Sequence, residues 1–501
     1  MSMGLLSRFF RGEPLLHAKT KEPFPLDAPL LRLSSRDAWT IRDSFEGCQI
    51  FGATGSGKTS GSGQALAKAF LKSGYGGLVL TAKKDERQLW EHYAAETGRS
   101  DSLIIFSPSE KWRFNFLNYE LNRPGRGAGL TENIIAIFTN VLEIAERKDQ
   151  SGGGEKFWRD ALKNLLRNAI ELLRFSKGEL TLDSLYKVIN SAPQSLEQVE
   201  DDSSEWHRRS FCAACLREAK AKPLEEVEAR DFAVTQAYWE HDFPDLNSKT
   251  RSSITIMFVN LASMFLRSPY RELFCSSTNF LPEHTLEGAV VILDLPVKEF
   301  LEVGQFAQGL FKMIWQQAIE RRDVKANPRP VFLWADESQN FINSYDMHYQ
   351  TTARSARAAT VFLTQNISNY YAMLAGQRSK PETDSFLGNL NTKIFHANSD
   401  SETNRWAAEL IGKAWQLKTN SNHSTSDQSG ARYTGMLTEQ RGEQSSAGTS
   451  EVFEYELLPR EFTTLKKGGP GNKNLVEAII FQGGRKWKKT GKTFLRTIFR
   501  Q

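Results

Sequence analysis

Residues 52–59, GATGSGKT, constrain the fold more than any other segment, because they match the pattern G-x-x-x-x-G-K-[ST] in full. The apolar residues 48–51 before the match suit a strand, and residues 61–74 after it have helical spacing that ends at a glycine. In a loop of this kind the backbone N–H groups turn inward around phosphate oxygens, and the start of the following helix adds its dipole. The alternative is a glycine-rich turn without a ligand. We predict that the nucleotide-binding residues are Gly52, Ala53, Thr54, Gly55, Ser56, Gly57, Lys58, Thr59 and Ser60.

Two of these residues have specific predicted roles. Lys58 would reach the β- and γ-phosphates and is a candidate catalytic residue, while the hydroxyl of Thr59 would face Mg²⁺. A partner for Thr59 is expected at residues 330–341, PVFLWADESQNF, where the apolar run 331–335 is typical of a buried parallel strand. Asp336, at the end of that strand, would hold Mg²⁺ through water.

Glu337 follows Asp336 and is the predicted group that orients or deprotonates the attacking water. The alternative is an acidic helix start, where Asp and Glu are common. An Asp-Glu pair favours hydrolysis over phosphoryl transfer to a small substrate.

Three polar residues further on complete the predicted catalytic group. Gln365 ends the apolar run 360–365, where it would bond the γ-phosphate or the attacking water, unless it only caps the strand. Arg354 and Arg357 precede this run, and multimeric ATPases often supply an arginine across a subunit interface. Arg354 is the preferred candidate, with a surface salt bridge as the alternative for both.

The rest of the chain reads as alternating strands and helices, which indicates an α/β fold with a mostly parallel central sheet. We predict an α/β domain over 46–178 and 266–482, interrupted by an all-helical domain over 179–265. Residues 417–450 are rich in Ser, Thr, Asn and Gln and are predicted to form a long loop. Residues 483–501 are predicted to be a basic tail, either a contact for phosphates or anionic lipid or simply solvated.

Composition excludes several classes of protein. With 40% hydrophobic and 25% charged residues, the chain is neither collagen-like nor globally disordered, and four cysteines are too few for a disulfide scaffold. The net charge of +5 is too small to indicate nucleic acid by itself. Cys212 and Cys215 have metal-like spacing but no second pair, so we interpret them as core cysteines of a helix. No transmembrane helix is predicted, including in the N-terminal segment 1–45, and the expected location is cytoplasmic or peripheral at the inner face of the cell membrane.

The order of these motifs resembles the TraG/TraD-type conjugative DNA-transfer ATPases, the type IV coupling proteins, within the HerA/FtsK superfamily. The resemblance implies a RecA-like P-loop NTPase core with an inserted all-α domain, and a hexameric ring that binds ATP and Mg²⁺ between subunits. It also implies sequence-independent DNA as a partner, and a relaxase, relaxosome or secretion-channel protein as another, with any membrane contact indirect. Lys58, Thr59, Asp336 and Glu337 match the family's motifs, and Gln365 and Arg354 match its sensor and finger positions in spacing. The segments that carry the resemblance are 52–59, 113–118, Phe157-Trp158, 248–262, 334–341, 354–365, 385–395 and 457–468.

The chain departs from the family pattern at two places. Thr81-Ala82 stand before Lys83 where the family usually has an acidic residue, which leaves the role of Lys83 open. About 50 polar residues precede the P-loop where most coupling proteins begin with membrane helices. Three functions therefore stay open: a coupling translocase, a soluble HerA/FtsK-like DNA motor of a mobile element or defence system, and a nucleotide-gated scaffold that recruits a relaxase or effector.

Overall fold

The computed structural model describes residues 23–146, 155–374, 379–427 and 441–501. Residues 1–22 of the predicted N-terminal segment 1–45 and residues 428–440 of the predicted loop 417–450 therefore lie outside the described residues.

The strands are assigned as follows, and most of those in the central sheet coincide with apolar runs of the sequence. They are β1 Pro29–Arg32, β2 Ala38–Thr40, β3 Cys48–Phe51, β4 Gly76–Leu80, β5 Leu103–Phe106, β6 Val290–Leu293, β7 Val331–Ala335, β8 Ala358–Thr364, β9 Thr392–Phe395, β10 Lys413–Asp427, β11 Arg441–Tyr455, β12 Leu475–Gln482 and β13 Phe494–Arg500.

The central sheet contains nine strands of the described part of the chain, in the order β13-β12-β9-β3-β8-β7-β4-β6-β5. From β9 to β5 all neighbours are parallel, whereas β12 runs antiparallel to β9, and β13 antiparallel to β12. The predicted mostly parallel sheet is confirmed. β3 and β7 both flank β8, so the P-loop and the Asp336-Glu337 pair emerge at the same edge of the sheet.

Helices cover both faces of this sheet and form the insertion between β5 and β6. The helices are α1 Ile41–Ser44, α2 Gln64–Lys72, α3 Glu86–Glu96, α4 Phe116–Asn122, α5 Thr131–Glu146, α6 Glu155–Ser176, α7 Leu182–Asn190, α8 Leu196–Glu200, α9 Glu205–Arg209, α10 Phe211–Ala221, α11 Glu226–Ala237, α12 Phe243–Asp245, α13 Ser248–Phe265, α14 Tyr270–Phe274, α15 Val297–Arg321, α16 Ser344–Ala353, α17 Ile367–Met373, α18 Ser379–Gly388 and α19 Ser401–Ile411.

Strands such as β4, β6 and β7 are buried along their whole length, as expected for a parallel sheet that is covered on both faces. On one face Phe332 stacks between Phe70 of α2 and Trp90 of α3, with ring centroids 5.2 and 5.4 Å apart. On the other face Phe311 of α15 packs against Phe106 at 6.1 Å. The two apolar clusters hold the sheet rigid beneath the loops at its edge.

A section without strands separates β5 from β6 and forms the helical insertion. Within it, α6 packs against α7, α10, α11 and α13. The domain boundaries at 179 and 265 stay predictions, but these contacts join α6 to the helices of the insertion. α5 packs against both α6 and α15, so it links the insertion to the helices beside the sheet.

The predicted loop over 417–450 is wrong for the described residues. β10 and β11 form a separate antiparallel hairpin whose register is continuous from Lys413↔Tyr455 to Asp427↔Arg441. The polar composition indicated that little apolar surface would be buried, but strand pairing satisfies backbone hydrogen bonds without burial. The middle of this stretch, 428–440, lies outside the described residues.

The predicted basic tail 483–501 is also wrong over its last part. Phe494–Arg500 form β13 at the edge of the central sheet, where Leu495 and Phe499 are buried. The alternation of apolar and basic residues is that of a half-buried edge strand. The α/β domain therefore extends beyond residue 482.

Three further predictions concern cysteines, metals and membranes. Cys212 and Cys215 are buried on α10 without a disulfide, as expected for core residues. Among the described residues, no group of three or more His, Cys, Asp or Glu side chains is placed to hold a metal ion. None of the described helices is long and apolar enough to cross a bilayer.

Candidate nucleotide-binding site

The P-loop leaves β3 at the edge of the sheet and is anchored by its neighbours. Gly52 N donates to Thr364 O at 3.2 Å, and Ala53 N donates to Ala397 O at 3.0 Å. Gly57 has φ +86° and lies so close to Val476 that a Cβ would come within 2.7 Å of that side chain. Only glycine fits this turn, and a single π-helical turn, Thr59–Gly63, then leads into α2.

A cleft of about 630 Å³ opens over this loop. Eight of the nine predicted nucleotide-binding residues, 53–60, line the cleft. Gly52 does not line it: the residue is buried, and a Cβ there would meet Ser56 Oγ at 2.4 Å. Ser56 Oγ itself is buried without a hydrogen-bond partner, as expected of a polar group that awaits a ligand.

The two predicted Mg²⁺-contacting residues lie together. Thr59 Oγ1 donates to Asp336 Oδ2 at 2.8 Å, although 277 positions separate them in the sequence. Asp336 Oδ1 accepts from the backbone N–H of Glu337 at 2.9 Å, which fixes the carboxylate. A hydroxyl and a carboxylate are oxygen donors of the kind that Mg²⁺ prefers when it also binds phosphate, so the pair fits the predicted ion.

Glu337 lies beside Lys58 in the cleft. Its backbone is left-handed, with φ 48° and ψ 46°, a conformation that non-glycine residues adopt rarely and often at functional sites. Glu337 Oε1 is 3.6 Å from Lys58 Nζ, and Oε2 accepts from Gln339 Nε2 at 3.0 Å. Gln365 Nε2 makes a longer hydrogen bond to Oε1, at 3.4 Å. The structure thus brings three predicted catalytic residues together.

The charge of Glu337 is set by its surroundings. Burial opposes ionisation, but the charge of Lys58, the hydrogen bond from Gln339 and the charge of Lys83 outweigh it and lower the pKa of Glu337 to about 2. The side chain is therefore a carboxylate at neutral pH.

Lys83, whose role the sequence analysis left open, lies in the site. Lys83 Nζ is 3.1 Å from Glu337 Oε1 and 3.7 Å from Asp336 Oδ2. Although burial opposes it, the two carboxylates raise the pKa of Lys83 above its ordinary value. A signal for this residue exists in the sequence, because Lys83 follows a buried strand at the same sheet edge, but no spacing rule singles it out.

Glu86 and Tyr93, on α3 beside Lys83, were missed altogether. Glu86 Oε2 accepts from Ala82 N at 2.9 Å, while Oε1 is buried without a hydrogen-bond partner. Burial and the nearby Asp336 raise the pKa of Glu86 well above its ordinary value. The hydroxyl of Tyr93 is likewise buried and unpaired, and the residue lines the cleft.

Arg354 and Arg357 do not reach the cleft of their own chain. Arg354 follows α16 with 63% of its side chain exposed and lies 3.5 Å from Glu46. Arg357 has φ 47° and donates to Pro328 O at 3.1 Å. Neither residue lines the cleft, so the finger role of Arg354 stays a prediction about a neighbouring subunit.

A family model and several solved structures are similar to this chain. Residues 330–462 match the family model described as the TraM recognition site of TraD and TraG. The chain also superposes on the bacterial conjugative coupling protein TrwBΔN70 in its unbound form, with a TM-score of 0.60, over 95% of this chain and 88% of that chain. The resemblance to TraG/TraD-type coupling proteins is confirmed.

Two further TrwB structures match almost equally well. TrwB in complex with the ATP analogue ADPNP gives a TM-score of 0.58 at 13% identity, and TrwB with ADP and Mg²⁺ gives 0.56 at 13% identity. Each match covers 95% of this chain and 89% of the TrwB chain. Identity to unbound TrwBΔN70 is 14%, so these likenesses concern the fold, a RecA-like NTPase core with an all-α domain. A search among curated proteins finds no match in sequence.

Proposed function

We propose that this chain is a coupling-type ATPase that binds ATP with Mg²⁺ in the P-loop cleft and uses hydrolysis to move DNA. The observation that carries the proposal is a pair of contacts at the P-loop. Thr59 Oγ1 is 2.8 Å from Asp336 Oδ2, and Lys58 Nζ is 3.6 Å from Glu337 Oε1. A phosphate-binding loop alone would support binding. A buried, ionised Glu337 at the same place supports hydrolysis.

Each residue has a defined part in this proposal. When bound, ATP would supply the phosphoryl group and Mg²⁺ would offset its negative charge. Lys58 and the backbone N–H groups of the P-loop would bind the phosphates, and Thr59 and Asp336 would hold the ion, the latter through water. Glu337 orients a water molecule and accepts its proton, and Gln365 hydrogen-bonds the same region.

The proposed partners and assembly of this chain rest on its resemblance to coupling proteins. The match of residues 330–462 to the TraM recognition site of TraD and TraG supports a relaxosome component as a partner. The structures of TrwB with ADPNP and with ADP and Mg²⁺ support the choice of nucleotide and ion. We further propose a hexameric ring in the cytoplasm, with sequence-independent contacts to DNA phosphates and only indirect contact with the membrane.

ATP turnover by the purified chain, with no DNA, single-stranded DNA or double-stranded DNA, tests the proposal. We expect DNA to stimulate turnover, and Glu337→Gln to abolish turnover while ATP still binds, because the amide cannot accept the proton. The matched control is Glu409→Gln, an exposed glutamate of α19, which should behave as the wild type. Nucleotide binding without turnover under every DNA condition would contradict the motor and favour the scaffold.

A further inference from the structure

Lys83 lies between the two acidic residues that follow β7. Its ammonium is 3.1 Å from Glu337 Oε1 and 3.7 Å from Asp336 Oδ2, and 32% of its side chain is exposed, on the cleft side. The register of β4 and β7 pairs Leu80 with Ala335, so both segments leave the sheet at the same level. The contact is thus fixed by the pairing of two buried strands rather than by a chance meeting of surface side chains.

The backbone that carries Lys83 is held from several sides. The buried amide of Gln308 accepts from Thr81 N at 2.7 Å and donates to Thr81 O at 2.9 Å. Ala82 N donates to Glu86 at 2.9 Å, and Ala82 O accepts from Lys298 N at 3.2 Å. Lys83 therefore starts from a rigid point, and its ammonium can hold a partner in a defined place.

Two lysines share one oxygen of Glu337. Lys58 Nζ is 3.6 Å from Oε1, and Lys83 Nζ is 3.1 Å from it. The lysine of a P-loop is the one that reaches the nucleotide's phosphates. When Lys58 serves those phosphates, Lys83 is the cation that keeps hold of Glu337.

We propose that Lys83 is a positioning residue for Glu337 in hydrolysis. Lys83 holds Oε1 and Gln339 holds Oε2, so the carboxylate keeps one orientation on a backbone with φ 48°. This inference rests on the proposed function, because it assigns Lys83 a part in that same reaction. It differs from a phosphate-binding role, in which Lys83 would contribute to nucleotide affinity.

The adjacent Lys84 provides a matched control. Its side chain is 80% exposed and lies 3.5 Å from Glu299, outside the cleft. Lys83→Met, Lys83→Arg and Lys84→Met can be compared in one steady-state assay of ATP hydrolysis with DNA. We expect Lys83→Met to lower kcat roughly 10- to 100-fold with little change in KM, which is less than the loss of about 10²- to 10⁴-fold expected when a general base itself is removed. Lys83→Arg should recover part of the loss, and Lys84→Met should match the wild type.

The split between kcat and KM separates positioning from simple structural support. Lys83 Nζ is 3.1 Å from Glu337 Oε1 at the cleft, so Lys83→Met should lower kcat while its urea unfolding midpoint stays at the wild-type value. Lys83→Arg keeps a cation beside Glu337 and should recover part of kcat. A merely structural role would lower the unfolding midpoint of Lys83→Met together with its kcat.

Two results would overturn the inference while leaving the proposed function intact. One is a wild type that hydrolyses ATP and a Lys83→Met variant whose KM rises at unchanged kcat, which would make Lys83 a nucleotide ligand. The other is an equal loss of kcat in Lys83→Met and Lys83→Arg, which would show that the positive charge beside Glu337 is not what matters. If the wild type itself shows no turnover, the proposed function fails, and the positioning role fails with it.

Discussion

His396 is a fully buried histidine directly behind the P-loop. Its Nδ1 is 3.0 Å from Glu477 O and its Nε2 is 2.7 Å from Ser62 Oγ. A carbonyl oxygen only accepts hydrogen bonds, so Nδ1 carries the proton and Nε2 accepts from the serine hydroxyl. Burial lowers the pKa of His396 to about 4, and the charge of Lys58 acts in the same direction, against the bond to Glu477. The neutral ring thus joins the turn after the P-loop to β9 and β12.

A pH dependence of stability follows from His396. In the unfolded chain a histidine binds a proton near pH 6.5, whereas His396 in the folded chain binds one only near pH 4. The unfolded state therefore holds more protons between these values, and the free energy of unfolding falls as the pH falls through this window. We expect His396 to contribute about 2 kcal/mol to the loss between pH 7 and pH 5.

Urea unfolding at pH 7 and pH 5 measures this contribution. The loss on acidification should be smaller in His396→Gln than in the wild type. His92→Gln, at an exposed histidine that lies 2.9 Å from Glu96, is the matched control and should keep the wild-type difference. Equal pH dependence in all three proteins would contradict the assignment.

Sequence analysis found those residues whose role is tied to a spacing rule. Lys58, Thr59, Asp336 and Glu337 follow from two short patterns. In the structure Lys58, Thr59 and Glu337 line one cleft, and Asp336 is hydrogen-bonded to Thr59 at its edge. Lys83 has no such pattern, because its place depends on the order of β4 and β7 in the sheet, which the sequence does not state.

At the scale of elements, a buried ion pair joins α15 to α16. Lys312 Nζ contacts Asp346 Oδ2 and donates to Phe341 O at 2.6 Å, with the lysine and aspartate side chains almost completely buried. Asp346 also accepts from Gln316 Nε2 at 2.8 Å and from Asn343 N at 2.8 Å. The carboxylate thus has several partners, and Lys312 is the one that carries a positive charge in this ion pair.

Removing one partner of this buried ion pair should destabilise the folded protein. In Lys312→Met the carboxylate of Asp346 stays buried without its ion-pair partner, and we expect the free energy of unfolding to fall by about 3–5 kcal/mol. Adding Asp346→Asn removes the buried charge, so the double variant should be more stable than Lys312→Met alone. Chemical denaturation measures both. The control is Lys380→Met, in an exposed pair with Glu402 at 3.7 Å, where a change within about 0.5 kcal/mol is expected. A double variant less stable than the single one would contradict this account.

Element prediction succeeded where burial decides the structure and failed where backbone pairing does. The parallel strands β4, β6 and β7 are apolar runs, and their existence follows from the sequence. The hairpin of β10 and β11 is polar, and its strands are held by each other through a 15-pair register rather than by a core. No hydrophobic period marks such a structure, so composition alone suggested a loop.

At the scale of the whole molecule, the exposed position of Arg354 bears on assembly. Its guanidinium lies 3.5 Å from Glu46 on the surface, and the residue does not line the cleft of its own chain. In the proposed ring, a cleft at a subunit interface can receive a side chain from the neighbouring subunit. A surface arginine is therefore compatible with a finger that acts on the next subunit, and incompatible with one that acts within its own.

Mixed assemblies distinguish a finger that acts between subunits from a structural arginine. Arg354→Ala should lower DNA-stimulated turnover roughly 10³-fold, the low end of the effect of an arginine finger. Lys58→Ala should be inactive for another reason, because its own P-loop lacks the lysine. In an equal mixture that exchanges subunits within a closed ring, about a quarter of the interfaces combine the intact P-loop of the Arg354→Ala chain with Arg354 of the Lys58→Ala chain. These interfaces should hydrolyse ATP, so the turnover of the mixture should exceed the sum of the turnovers of its two components.

The control is Arg405→Ala, at an exposed arginine that pairs with Glu402 at 3.4 Å, and this variant should retain wild-type turnover. A mixture that only equals the sum of its components, after exchange has been verified, would contradict a finger that acts between subunits and remove the support that this residue gives to a ring.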